Sequence, residues 1–386
     1  MPVPEELAGL EETITPDVIE LRRRLHATPE PAHRQVATTE MIRSSVEAVG
    51  LSFTDRVPKT GGWVDIGEPR VGFRADLGAL PIHEPADNPH RSRHEGWMHA
   101  CGHDAHAAIA VGIAMALNRL DIAGGVRVIF QPGEEANPGG AIELVAEGVV
   151  NGLEGLLAFH VDPSLRVGRV GARSGPVTGS ADLLRVVVHG PGGHTSRPHK
   201  TVDLVEAAAR VASELPNTIR RSIDPRTPIV IVFGSIHGGH AANVIPNEIV
   251  LEGSVRTLDA ETWDVLPGLI DKSLGAILAM TGAGYSLEYR QGIPPVVNDG
   301  TIVGVTTAAM EDEFGPGTVV PSEQSMGGED FANYLSVTPG ALLRLGAASG
   351  GGDLHSAGFA IDEGAIPFGI RAGTRAILAL LAAVSR

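Results

Sequence analysis

The feature that most constrains this chain is a set of short apolar runs, each stopping at polar residues. Val126 to Phe130 ends in Gln131-Pro132-Gly133-Glu134-Glu135, Leu156 to Phe159 ends in His160, and Val64 to Phe73 ends in Arg74-Ala75-Asp76. Strands of this kind are apolar enough to need cover on both faces, as in parallel sheets. Helical patterns alternate with them. One covers residues 15–50, where Asp17 can cap the start and Val18, Leu21 and Leu25 have helical spacing. A second begins at Asp104, runs through Ala107, Ile109, Val111, Ile113 and Leu117, and is broken by Gly124-Gly125. A third is Glu143 to Val150. The alternation predicts an α/β fold with a mostly parallel sheet flanked by helices. Ligands on such sheets bind beyond the carboxyl ends of strands, so Asp76, Glu134, Glu135 and His160 are expected at one edge.

From about residue 180 the texture changes. Strands at Leu183–Val188, Ile229–Ile236, Ile249–Thr257 and Tyr285–Tyr289 enclose helices at Val202–Leu215 and Ala260–Met280. The order β-α-β-β-α-β fits a ferredoxin-like α+β domain with two helices on one face of a four-stranded sheet. Residues 180–291 are therefore expected to be an inserted domain, with 1–179 and 292–386 completing the first.

Charge excludes some partners. Lys+Arg number 30 and Asp+Glu 46, for a net charge of −16, and Arg22-Arg23-Arg24 is an isolated run inside a helical pattern. A nucleic-acid or anionic-membrane surface needs a basic face that this chain lacks. No apolar stretch is read as long enough to span a bilayer, which takes roughly 18 residues. Met1 to Leu10 carries Glu5 and Glu6 and has no basic start before an apolar core, so a secretory leader is not expected and the cytoplasm is. The one cysteine, Cys101, allows no intrachain disulfide.

Chemistry concentrates in His99-Ala-Cys101-Gly-His103-Asp104-Ala-His106, with three imidazoles, a thiol and a carboxylate in eight residues. Thiolate and imidazole are ligands for zinc and its neighbours. In an extended segment residues 99, 101 and 103 would share a face. A histidine-rich turn can also be a solvated surface, but here it holds the only cysteine and precedes a helix. Glu134 and Glu135 end a buried strand. Adjacent side chains usually diverge, so one carboxylate can bind metal while the other acts as general base on water. His160 and His355 are individually weak signals, since a lone histidine is more often a hydrogen-bonded core residue. Together, Cys101, His103, Glu135, His160 and His355 would supply five ligands, enough for two metals. Two further polar clusters, His189 to His199 and His237 to Pro246, fall in the inserted domain, followed by Arg256. Arg256 can clamp a carboxylate or simply pair with Glu252 or Asp259.

The chain resembles the M20 metallopeptidase family, in its aminoacylase, hippurate-hydrolase and auxin-conjugate amidohydrolase branch. The resemblance is carried by Arg23-Arg24-Leu25-His26 with Pro29-Glu30, Arg74-Ala75-Asp76 through Leu80-Pro81-Ile82, His99 to His106 and Phe130 to Glu135. It continues in family order with Gly192-Gly193-His194, Asn243 to Pro246, Met326 to Phe331 and Leu354-His355-Ser356. It implies a binuclear site with Cys101, His103, Glu135, His160 and His355 as ligands and Glu134 as general acid and base. It also implies that His194 helps hold the oxyanion and that Asn243 and Arg256 bind substrate, while Asp76 and Asp104 remain in this chain as supporting carboxylates. The inserted domain would act as lid and dimerisation domain of a homodimer. The family usually has a second aspartate where this chain has Gly78, and a missing carboxylate near the metals can alter ligand orientation.

The expected activity is hydrolysis of the amide of an N-acyl amino acid or related small conjugate. The expected cofactor is two divalent ions per subunit: zinc first, with manganese, cobalt or nickel as alternatives. Competing readings are a dipeptidase or aminoacyl-conjugate hydrolase, a weakly active metal-binding or regulatory protein motivated by Gly78, and a structural-metal protein.

Overall fold

The computed structural model describes residues 4–86 and 88–385, so the first three residues of the acidic Met1–Leu10 segment lie outside it. Two compact units form. One comprises Met1–Val177, Val297–Glu323 and Asp330–Arg386, the other Thr178–Val296 and Gln324–Glu329.

The first unit is built on an eight-stranded sheet. Its order is Phe53–Asp55, Gly62–Ile66, Gly125–Gln131, Pro69–Asp76, Gly155–Asp162, Gly340–Gly346, Val170–Ala172 and Val319–Pro321. The four central strands are mutually parallel. The edges are not, since Phe53–Asp55, Gly62–Ile66 and Val170–Ala172 all make antiparallel pairs. The sheet is thus mixed, with four of its seven pairings parallel, including Val319–Pro321 with Val170–Ala172. Val64 to Phe73 is two strands, divided by a turn at Gly67 with φ +70°.

The helices also depart from expectation. Residues 15–50 form two, Pro4–Ala27 and Val36–Glu47, so Asp17 lies inside a helix and caps nothing. Asp104 is not a cap either, because the next helix, His103–Asn118, starts one residue earlier and ends well before Gly124. That helix is buried from His103 to Leu117, as a helix apolar all round must be. Ala365–Val384 is long and apolar enough to cross a membrane by length and composition, which corrects the reading that no such stretch exists. In the structure 72% of that window is buried, and the helix packs on the core of this unit. Its Gly369 packs against Ile109, where a side-chain methyl would lie only 2.8 Å from the isoleucine Cδ1 and would clash. Arg371 and Arg375 pair with Glu313 and Asp312.

The connections create the crevice. From Pro69–Asp76 the chain passes through His103–Asn118 to Gly125–Gln131 on one side, then through Gly140–Ala146 to Gly155–Asp162 on the other. Such a reversal opens a gap at the carboxyl ends of the strands. Pairing between Pro69–Asp76 and Gly155–Asp162 stops at Arg74 with Ala158, while pairing with Gly125–Gln131 continues to Asp76 with Gln131.

Two buried charge networks hold this region. Arg74 and Asp76 are fully buried. The Arg74 guanidinium donates to Asp76, Asp330 and Gln131 at 2.8–2.9 Å. Asp330 also accepts from Gln131 Nε2 and the Ala141 amide. The second network ties helix Pro4–Ala27 to the start of His103–Asn118. His26 Nδ1 donates to Asp104 at 2.8 Å and Nε2 to Glu84 at 3.0 Å, and Arg22 Nε lies 2.8 Å from Asp104.

The second unit carries a four-stranded antiparallel sheet in the order Ile229–His237, Glu248–Thr257, Ala181–His189, Gly284–Ile293. Helix Leu204–Ser222 buries Leu204, Ala207, Ala208, Val211, Leu215 and Ile219, a single stripe. Asp203 caps it, and Asp259 caps Ala260–Leu278. Both helices share one core with the alternate residues Leu184, Val186 and Val188.

Two predictions follow from the networks. Burial works against charge on His26, but the Asp104 charge and the hydrogen bonds to Asp104 and Glu84 outweigh it and raise its pKa to about 9. A pKa raised above the unfolded value gives stability that is complete below about pH 6.5 and is lost as pH climbs to about 9, here roughly 3 kcal/mol at most. Chemical denaturation should show a decline over that window that is much flatter in His26→Gln; parallel profiles would refute the assignment. Asp330→Ala removes one partner of a buried ion pair and should cost about 3–5 kcal/mol in urea unfolding. A loss under about 1 kcal/mol would show that Arg74 does not depend on it.

Candidate metal centre

Cys101 and His103 flank Gly102, whose φ of +81° makes a left-handed turn into helix His103–Asn118. A side chain at 102 would run into Val161, so the turn needs glycine. The segment is therefore not extended through 103, and residues 99, 101 and 103 do not share a face. His99 falls outside the cluster. It is buried, neither ring nitrogen is hydrogen-bonded, and burial pushes its pKa down to about 4.

The other sequence-derived residues of this unit converge on Cys101 and His103. His160, near the end of Gly155–Asp162, places Nε2 3.4 Å from Cys101 Sγ. His355 Nε2 lies 3.3 Å from the same sulfur and 3.3 Å from Glu135 Oε1. His103 Nε2 is 3.9 Å from Glu134, from Glu135 and from Asp76. Ligand-capable atoms within 4.8 Å of one another thus form overlapping sets, Cys101–His103–His160 and Cys101–Glu135–His355, with Cys101 in both. Glu134 joins a third with His103 and Glu135. The two adjacent glutamates both reach His103, and Glu135 also reaches His355.

The donor set fits divalent cations. His103 is 1% exposed, yet among the described residues neither of its ring nitrogens has a hydrogen-bond partner, and the buried Glu135 Oε1 has only His355 Nε2 at 3.3 Å. Leaving such groups unmatched costs about 1–3 kcal/mol each. A thiol, three imidazoles and a carboxylate aimed at a common space match ions of intermediate softness.

The electrostatics agree. Burial, then Arg344 and His106, push His160 well below the usual histidine range, so it is neutral. Its Nδ1–H donates to the Val161 carbonyl at 2.8 Å, leaving the Nε2 lone pair toward Cys101. Burial would raise Asp76, but His103, His106 and Arg74 hold it well below the usual carboxylate range. Glu135 is likewise lowered against burial by His355 and His103, and the Glu135 contact raises His355.

His355 has φ +59°, and its amide donates to Ala100, pinning its loop to the Cys101 turn. Asp104 faces Arg22 and His26 rather than this cluster. Gly78 has φ +121°, a conformation side chains rarely adopt, and a Cβ there would sit 2.8 Å from Gln35 Nε2. The absent aspartate is replaced by backbone that suits glycine.

His194, Asn243 and Arg256 belong to the second unit. His194 is exposed in a two-residue strand paired with Val244–Ile245, and its Nδ1 accepts from the Ser196 amide at 3.1 Å. The Asn243 carbonyl accepts from the Thr195 amide, so these two residues share one end of that unit. Arg256 donates to the Met326 carbonyl at 2.8 Å. Reasoning from sequence gave no role to His106, which bonds Asp76 and Val161, or to Asp330. For His106 the signal was present, since it lies three residues after His103 on one helical face.

The peptidase family M20/M25/M40 model matches residues 72–379. A Rhodococcus jostii protein named putative glutamate–cysteine ligase 2-3 is 40% identical over 92% of this chain, which spans only 45% of that longer protein. An N-acetylcysteine deacetylase of Bacillus subtilis is 37% identical over 90% of this chain and 93% of its own length. A solved Bacillus subtilis structure, titled a dinuclear metal-binding peptidase of the M20 family, superposes with a TM-score of 0.85. It is 32% identical, covering 96% of this chain and 99% of that one. With the cluster of Cys101, His103, Glu135, His160 and His355 lying entirely inside the matched span, the chain belongs to peptidase family M20.

Proposed function

We propose that the chain hydrolyses the amide bond of N-acyl amino acids or related small conjugates, releasing a carboxylic acid and an amino acid. It is a metal-dependent amidohydrolase of the M20 type. The observation that carries this reading is the convergence of Cys101, His103, Glu135, His160 and His355 on a buried, unbonded His103 with a second carboxylate, Glu134, beside it. Two divalent ions held by those five side chains supply Lewis acidity toward the amide carbonyl and toward water. Zinc suits the thiol and imidazoles best, with manganese, cobalt and nickel as alternatives.

Glu134 is assigned the proton transfer, supported by its place beside His103. Its side chain is 10% exposed and 3.9 Å from His103 Nε2. As general base it takes a proton from the attacking water while the new C–O bond forms. It then returns that proton to the departing nitrogen as the C–N bond breaks. Asp76 supports from next to His103, whereas Asp104, at the start of the same helix, supports only by anchoring that helix to Arg22 and His26. His194 is assigned to hold the carbonyl oxygen, and Asn243 with Arg256 to hold the substrate carboxylate. Family resemblance supports these three assignments, as it does the role of residues 180–291 as lid and dimerisation domain in a homodimer. The name of the deacetylase relative supports an N-acyl amino acid as substrate class. A thiol among the ligands suits a reducing compartment, which supports the cytoplasm.

The test pairs metal content with turnover on N-acetyl, N-benzoyl and long-chain N-acyl amino acids. About two ions per chain and chelator-sensitive release of amino acid are expected. Glu134→Gln should keep its metal and lose about 10²–10⁴ in kcat. Undiminished turnover in that variant would remove Glu134 from the mechanism, and metal-free wild type with full activity would remove the centre.

A further inference from the structure

We infer that His106 is a positioning residue that crosslinks the two strands at the floor of the crevice and thereby aims the His160 ring. This rests on the metal-centre reading above. After Arg74 and Ala158 the strands Pro69–Asp76 and Gly155–Asp162 no longer pair, so the end of the second strand has lost that neighbour. His106, buried in helix His103–Asn118, fills the gap. Its Nδ1 lies 2.5 Å from Asp76 Oδ1 on one strand, and its Nε2 accepts the Val161 amide at 2.8 Å on the other.

The hydrogen bonds fix the tautomer. A backbone amide can only donate, so Nε2 carries a lone pair and the ring proton sits on Nδ1, facing a carboxylate. With both nitrogens engaged, His106 has none left for an ion, although it lies in a ligand-capable set with Asp76 and His103. The far end is anchored as well, because Arg74 Nη1 holds Asp76 Oδ2 at 2.8 Å.

The near end acts on His160. The residue whose amide His106 holds, Val161, also accepts the His160 Nδ1–H through its carbonyl at 2.8 Å. Val161 is gripped on both sides, and the His160 ring is left with only Nε2 to face Cys101 Sγ, at 3.4 Å. The path runs Arg74, Asp76, His106, Val161, His160, entirely through directional hydrogen bonds. Partners of this type that orient a ligand without touching the ion change metal affinity or activity by about 10–100-fold when removed.

The experiment uses the full chain with His106→Leu and His106→Gln and cobalt(II) as the probe. Leucine fills the space without accepting or donating. Glutamine can accept from Val161 through Oε1 and donate to Asp76 through Nε2. The leucine variant should bind cobalt about 10–100-fold more weakly and show altered ligand-field absorption bands. The glutamine variant should recover the wild-type spectrum and most of the affinity. In metal-free protein, hydrogen exchange at the Val161 amide should be slow in wild type and His106→Gln and fast in His106→Leu. If the leucine variant does not fold, His106→Asn, too short to reach both partners, replaces it in the same comparison with glutamine. Wild-type cobalt affinity and spectrum in the variant lacking the bridge would overturn the positioning role. Unchanged Val161 exchange would overturn the crosslink itself. A wild type that takes up no cobalt would overturn the metal-centre reading and the positioning role with it, while the exchange data still judge the crosslink.

Discussion

The structure around the crevice depends on one buried cation. The Arg74 guanidinium has no access to water, so its charge must be met inside the protein by Asp76, Asp330 and Gln131. An unmatched guanidinium there would cost several kcal/mol, which ties three distant pieces of chain to one point. Asp330 belongs to a segment about 200 residues beyond Gln131 in sequence, yet it also accepts the Ala141 amide at the start of the helix that follows the Glu134–Glu135 loop. The loop bearing both glutamates is consequently held at its two ends by the ion pair that anchors Asp76. The strand ends, the acid pair and the carboxylate facing His103 cannot shift independently.

The histidines sort by what surrounds them. His26 lies between two carboxylates and an arginine and keeps its proton. His160 is equally buried but has no carboxylate in hydrogen-bond contact, only a backbone carbonyl and a thiol, and stays neutral with one lone pair free. A protonated imidazole repels a cation and a neutral one can bind it, so the division separates scaffold from centre. His26 binds helix to helix through Asp104, one residue away from His103. Asp104 and His103 are neighbours in sequence with opposite assignments, because successive residues of a helix face different neighbours.

This division explains how much was legible in the sequence. Cys101, His103, Glu135 and His160 were legible because apolar strands ended at or next to them or because they fell in a dense motif, whereas His355 was a weak signal that gained weight only beside the other four and the family resemblance. The α/β alternation and the β-α-β-β-α-β order were readable from periodicity alone. The helix start at Ala260 was readable, but those in the first unit were not. Asp17 looks like a cap, but buried Leu7 and Ile14 draw the helix back to Pro4, through Pro16, since packing outweighs a local capping preference. The mixed character of the sheet was hidden because its antiparallel edges include strands of three residues, too short for any periodic signal. Asp330 was quoted within a motif but could not be given a partner, since its partners are set by a fold-level contact and not by spacing.

The remaining constraint is conformational. The centre is built from left-handed turns: Gly102 between Cys101 and His103, Gly133 before Glu134, and His355 itself. Among the described residues only His33 and His355 combine a side chain with positive φ, and His33 packs its ring against Gly133. Holding such residues costs about 1–3 kcal/mol each, and they persist where the surroundings over-determine them. For His355 that surrounding is the hydrogen bond from its amide N–H to the carbonyl of Ala100, one residue before Cys101. A left-handed residue reverses the chain within one step, so the side chains on either side of it can converge on a single point. A strand would put residues two apart on one face but about 6–7 Å apart along it, and a helix would splay them around its axis. The turns therefore do for the near-neighbour ligands what the splayed strands do for the distant ones, and the direction of each donor atom is set by backbone conformation and hydrogen bonding within the chain.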